Sequence, residues 1–126
     1  MFEKLEITRM AQALMSHAGG RLALAAQNVA HADTAGYRAR DLPDFADTWR
    51  DGMAMAATRP GHFGHDRADS LRPRTLSLPA DPNGNSVSLE AEMIRASDAR
   101  QAHDMAMAVY RSTSAVTRAA LGRGGQ

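Results

Sequence analysis

The stretch "NVAHADTAGYRARDLPDF", residues 28–45, decides how the chain is divided. Its first residues continue an upstream run of alanine and leucine at helical spacing. From Asp33 onward it changes to threonine, glycine, tyrosine and proline. Asn28 and Asp33 carry side chains able to take orphan backbone groups near a helix end, and Thr34 can bond locally to backbone. Gly36 permits a positive φ, and Tyr37 is expected to fold back against the helix with its hydroxyl in water. A helix ends here and a loop begins.

Upstream, Ile7, Ala11, Leu14, Ala18, Leu22, Ala25 and Val29 recur at spacings of three and four and share one face. That pattern predicts an amphipathic helix over about residues 4 to 32. Gly19 and Gly20 weaken it by roughly 0.5 to 1 kcal/mol each relative to alanine, so a bend or a second helix start is expected there. Downstream, Phe45, Trp49 and Met53 fall four apart behind Pro43, which suits a first-turn position, and predict a short helix over about 43–51.

All five prolines, Pro43, Pro60, Pro73, Pro79 and Pro82, lie in the middle of the chain, leaving both ends able to be helical. "DPNGNS", residues 81–86, ends one structure before another starts. Ser88 is then a candidate N-cap, with Glu90 and Glu92 in a first turn where the helix dipole favours negative charge. Ala99, Ala102, Met105, Val109, Val116 and Ala120 hold to one face of a helix expected over about 89–121, and Gly122 supplies a left-handed stop. From about 59 to 85 no periodicity is sustained. That segment reads as a loop, with brief strands at "RTLSL" (74–78) and "NSVSL" (85–89).

The fold class is therefore mainly α in a single domain: an N-terminal helical segment over 1–34, an irregular middle over 35–86, a C-terminal helical segment over 87–122 and a tail over 123–126. The two long amphipathic helices are expected to pack as an antiparallel, coiled-coil-like pair. Apolar residues make up 44% of the chain but aromatics only 5%, so the apolar content is alanine, leucine and methionine, better suited to close helix packing than to a bulky core. Narrow stripes of this kind bury little area at roughly 25 cal/mol per Å², so an isolated monomer is expected to be marginal. The stripes must pair with each other, with neighbouring subunits, or with both. Leu14, Leu22, Val29, Met105, Val109 and Val116 are the candidate seam residues, and Asn28, Gly36 and Tyr37 the candidate junction residues.

Other chemistry is thin. Fifteen basic against fourteen acidic residues is too balanced for a nucleic-acid binder, and the absence of cysteine excludes disulfides and thiolate metal sites. "HFGHD", residues 62–66, offers two imidazoles and a carboxylate in a glycine-flanked segment without the helical spacing of a zinc site, so no metal is expected. Arg59, Arg67, Arg72 and Arg74 are diluted by Asp66 and Asp69, which leaves no charge excess sufficient for a polyanion. Methionines such as Met10, Met15, Met93, Met105 and Met107 suit flexible gap-filling in helix packing. No phosphate loop, nucleophile elbow or framed carboxylate pair is present, and His103-Asp104 reads as surface polarity. Neither catalytic residues nor a cofactor are expected. No run of 18 apolar residues suggests a membrane span, and the opening "MFEKLEITRM" lacks the apolar run of a secretory signal.

Residues 28–37 resemble the motif that closes the N-terminal helix of flagellar rod and hook proteins, whose usual form is close to N-I-A-N-A-x-T-P-G-Y. The continuation "YRARDLPDF" is most similar to the proximal-rod members, and "NGNSVSLEAEM" resembles the opening of their C-terminal helix. Ala35 stands where the family usually has proline, and His31 where asparagine is common. The resemblance covers residues 1–49 and 83–122. It implies a structural subunit that stacks helically into the drive shaft crossing the periplasm, with the terminal helices packed around a central export channel. By the same resemblance the partners are further copies of the chain, the rod subunits FlgC, FlgF and FliE as neighbours, and the type III export apparatus, which carries subunits out of the cytoplasm without a cleaved signal peptide. A reading from a different class is a cytoplasmic helical-hairpin adaptor or export chaperone that grips a client with its methionine-rich face.

Overall fold

A computed structural model describes residues 2–53 and 72–122. Along the chain it consists of α1 (Phe2–Ala30), β1 (Arg40–Asp41), α2 (Phe45–Met53), β2 (Arg74–Thr75) and α3 (Leu89–Gly122). The expected "HFGHD" segment, with Arg59 and Arg67, lies outside the described residues. As the sequence predicts, the fold is mainly α, with α1 and α3 packed along each other around a short irregular middle. Their directions are opposed: the end of α1 meets the segment leading into α3 at Asn85, while Gly19 and Leu22 face Ala96 and His103 across the pair.

The interior is made of small residues. Among the described residues, Ala11, Ala18, Leu24, Ala25, Ala39, Ala99 and Ala106 are the buried apolar ones. Ala11, Ala18 and Ala25 are seven apart on α1, and Glu92, Ala99 and Ala106 seven apart on α3, which is the repeat of a coiled-coil seam. Side chains this small let the two backbones approach closely but bury little area each. The large apolar side chains mostly point elsewhere.

Four local expectations are corrected. α1 runs unbroken through Gly19 and Gly20. A Cβ on Gly20 would stand 2.9 Å from Leu42 Cδ1, so this glycine makes room for the segment after β1 instead of bending the helix. Gly122 is the last residue of α3 and lacks a positive φ; Gly36 (φ 74°) and Gly84 (φ 83°) are the positive-φ residues among those described. α2 starts at Phe45, with the Thr48 amide donating to Asp44 carbonyl oxygen at 3.1 Å, so Pro43 precedes the cap and is not in the first turn. Only Arg74 and Thr75 of "RTLSL" form strand, paired antiparallel with Asp41 and Arg40, and "NSVSL" forms none because its polar side chains are spent on the junction described below. Ser88 does cap α3: its hydroxyl accepts from the Ala91 amide at 3.4 Å and its carbonyl from the Glu92 amide at 2.9 Å.

Candidate functional site

The junction after α1 is built from both halves of the chain. Asn28 is fully buried, and its amide treats Arg40 as a strand neighbour would: Nδ2 donates to the Arg40 carbonyl at 2.8 Å, and Oδ1 accepts from the Arg40 amide at 3.1 Å. The Tyr37 hydroxyl also donates to Asn28 Oδ1 at 3.1 Å, so it is satisfied by protein where water was expected. The Tyr37 ring stacks on His31 with centroids 4.5 Å apart and planes 8° from parallel. His31 Nδ1 lies 2.9 Å from the Gln27 carbonyl, a contact that places its proton on that nitrogen.

The orphan carbonyls at the end of α1 are capped from 50 residues downstream. Asn85 Nδ2 reaches the carbonyls of His31 (2.9 Å), Ala32 (2.9 Å) and Thr34 (2.8 Å), more acceptors than its two protons can serve singly, so the bonds are shared. Its Oδ1 accepts from the Val87 amide at 2.8 Å. Beside it, Ser86 Oγ accepts from the Ala39 amide at 2.9 Å, and the Ser86 amide donates to Tyr37 carbonyl oxygen at 3.0 Å.

Residues 34–37 close a turn in which the Tyr37 amide donates to Thr34 carbonyl oxygen at 3.2 Å, with Gly36 at φ 74°. That is the type II arrangement, which requires φ > 0 at its third residue and favours proline at its second, the place held by Ala35. Gly36 in turn donates to Asn83 carbonyl oxygen at 3.0 Å, and a Cβ on Gly84 would stand 3.2 Å from Gly36 Cα. Two glycine turns thus pack backbone to backbone.

From the junction the chain returns along α1 as a strap. Arg21 grips Asp41 with both arms of its guanidinium, Nη2 to Oδ2 at 2.7 Å and Nε to Oδ1 at 3.1 Å, and Asp41 Oδ1 also accepts from the Leu42 amide at 2.8 Å. The Asp41 hydrogen bond raises the Arg21 pKa above its ordinary value, against the opposing effect of burial. One turn earlier, His17 Nε2 donates to the Pro43 carbonyl at 2.7 Å, and its ring meets Phe45 edge-on at 5.5 Å. Phe45 stacks on Trp49 at 6.0 Å, which lays α2 beside α1.

Of the six candidate seam residues, Leu14 is half-buried, while Leu22, Val29, Met105, Val109 and Val116 are between 40% and 59% exposed. The contact between α1 and α3 is instead the alanine row, with the fully buried Glu92 at one end. Arg95 pairs with Glu92 Oε1, and Oε2 has no hydrogen-bond partner among the described residues. Sequence reasoning missed Asn85, Ser86 and the pair Arg21–Asp41. A charged residue seven from the half-buried Leu14 and next to the apolar face was the available signal for Arg21; nothing local marks Asn85. His103 Nδ1 lies 3.6 Å from Asp104 at the surface.

The arrangement offers structure and surface. Among the described residues no group of three metal-ligating side chains converges, and no helix is long and apolar enough to cross a membrane. Neither a protein-family profile nor a characterised protein matches the chain.

Proposed function

We propose that the protein is a structural subunit of the flagellar basal-body rod, of the proximal-rod FlgB type, assembling helically with copies of itself and related rod subunits into the shaft that transmits motor torque and encloses the export channel. The observation that carries this reading is the inverted packing. Alanines line the contact inside the subunit, and leucine, valine and methionine stand outside it, so most of the apolar area at roughly 25 cal/mol per Å² is left for contacts between subunits. The resemblance of residues 28–37 to the rod motif adds the class of assembly, and the type II turn gives that motif a physical role. A shaft follows from contacts that do not close a ring. Its site is the periplasm, reached by type III export, and no catalytic step is part of the function.

The test is mass spectrometry of purified hook-basal bodies beside the soluble fraction of the same cells. Stoichiometric recovery with the basal body is expected; recovery in the soluble fraction alone replaces the rod with the cytoplasmic adaptor. In the same cells Leu22→Asp and Val109→Asp are expected to abolish motility while expression persists, and normal motility in both would exclude helix packing between subunits.

A further inference from the structure

Two surfaces of the helix pair differ in shape and complement each other in chemistry. One is an open groove of about 560 Å³ between α1 and α3, with Gly19 and Leu22 on one side and Ala96, Ser97, Arg100 and His103 on the other. A Cβ on Gly19 would meet nothing within 4 Å, so the groove has a hole at its floor. The other is a stripe on α3 formed by Ile94, Met105, Val109 and Val116, which are 62%, 59%, 40% and 47% exposed, with the exposed carboxylate of Asp98 among them. At about 100° per residue the stripe and the α3 wall of the groove lie on opposite sides of that helix, with buried Ala99 and Ala106 between them.

We propose that the α3 stripe of one copy seats in the α1–α3 groove of a second copy, with Met105 over Gly19 and Asp98 facing Arg100. The contact rests on the assembly reading above and specifies its geometry. Charge selects this pairing over the symmetric ones. Groove against groove would set Arg100 and His103 against their own copies, and stripe against stripe would oppose two Asp98 carboxylates and fill no hole. Within its own copy Asp98 faces an Arg21 whose guanidinium is already held by Asp41. Because groove and stripe are different surfaces, every bound copy still offers one of each. The contact is heterologous and propagates.

The chain contains no cysteine, so paired single-cysteine variants report the contact without background. Gly19→Cys and Met105→Cys proteins, mixed and mildly oxidised, are expected to form the mixed disulfide dimer in excess of either homodimer, because only that pair brings Cβ atoms within bonding range. Asp98→Arg in the Met105→Cys partner is expected to cut the yield about tenfold, and Arg100→Glu in the Gly19→Cys partner to restore it. Leu22→Cys with Val109→Cys provides a second pair should either first variant lose its helical circular dichroism. Equal yields of all three dimers, or no mixed dimer from either pair of folded variants, would overturn the contact. Protein recovered in basal bodies but never cross-linked there refutes this contact and leaves the rod standing. Cross-linking of purified protein that is absent from basal bodies does the reverse.

Discussion

Asn28→Ala is expected to destabilise the fold out of proportion to the atoms it removes. The side chain makes three hydrogen bonds, two to the Arg40 backbone and one to the Tyr37 hydroxyl. At about 0.5 to 1.5 kcal/mol net for each bond, the loss is about 3 kcal/mol, and Arg40 groups left without partners push it upward. Against the total of roughly 5 to 15 kcal/mol usual for a domain, and an interior built mostly of alanine, such a loss is large. Urea unfolding followed by far-ultraviolet circular dichroism reads it as a midpoint lower by about 1 to 3 M, for a slope of roughly 1 to 3 kcal/mol per M. Gln27→Ala is the control on the same turn. Its side-chain bond, from Arg40 Nη2 at 3.3 Å, is exposed, so a change below about 0.5 kcal/mol is expected. Tyr37→Phe should cost about 1 kcal/mol, less in the Asn28→Ala background, since both changes remove the same bond. A loss below about 1 kcal/mol for Asn28→Ala, or one equal to that of Gln27→Ala, would refute the view that this amide pins the strap to α1.

The adjacent glycines of α1 should respond with opposite signs. Gly19→Ala enters open space and gains about 0.5 to 1 kcal/mol of helix propensity, whereas Gly20→Val must displace Leu42 and is expected to lower the melting temperature. Gly84→Ala should cost at least about 1 to 2 kcal/mol in urea unfolding, because φ is 83° and its Cβ would press on the Gly36 backbone. Asp41→Asn leaves the Arg21 cation without its charged partner and should cost about 1.5 to 3 kcal/mol. As the Arg21 pKa is raised in the fold, its contribution is fully present below the ordinary value of 12.5 and fades only as pH rises through the folded value, so a fall in the Arg21 contribution between pH 6 and 10 would contradict the pairing.

The long helices were legible because their evidence is local. Prolines confined to the middle, a serine cap at Ser88 and apolar residues at helical spacing act within a few residues of where they stand. Which side of each stripe turns inward was not legible. Leu22 and Val29 lie one position over from the face that carries Ala18 and Ala25, and hydrophobicity ranks the larger side chains higher, whereas the close approach of two helices is set by the smaller ones. The same limit explains Gly20, which reads as a helix breaker until Leu42 is seen above it. At the junction the motif residues Asn28, Gly36 and Tyr37 were identifiable. Their downstream partners Asn85, Ser86 and Gly84 were not, since a turn-rich segment announces a turn and never the turn it packs against.

The two-residue ladder between Arg40–Asp41 and Arg74–Thr75 has a consequence for how such a chain can change. The polypeptide leaves the helix pair and comes back at neighbouring points, so the excursion between them is a port with a fixed mouth. Doubling the length of a flexible excursion costs only about 0.6 kcal/mol of closure entropy, while the buried amides of Asn28 and Asn85 hold the mouth shut whatever is threaded beyond it. New sequence added past α2 would alter what the outer surface of an assembly presents without touching the alanine row that sets helix spacing. The pair of helices can then stay constant while its outward cargo diversifies.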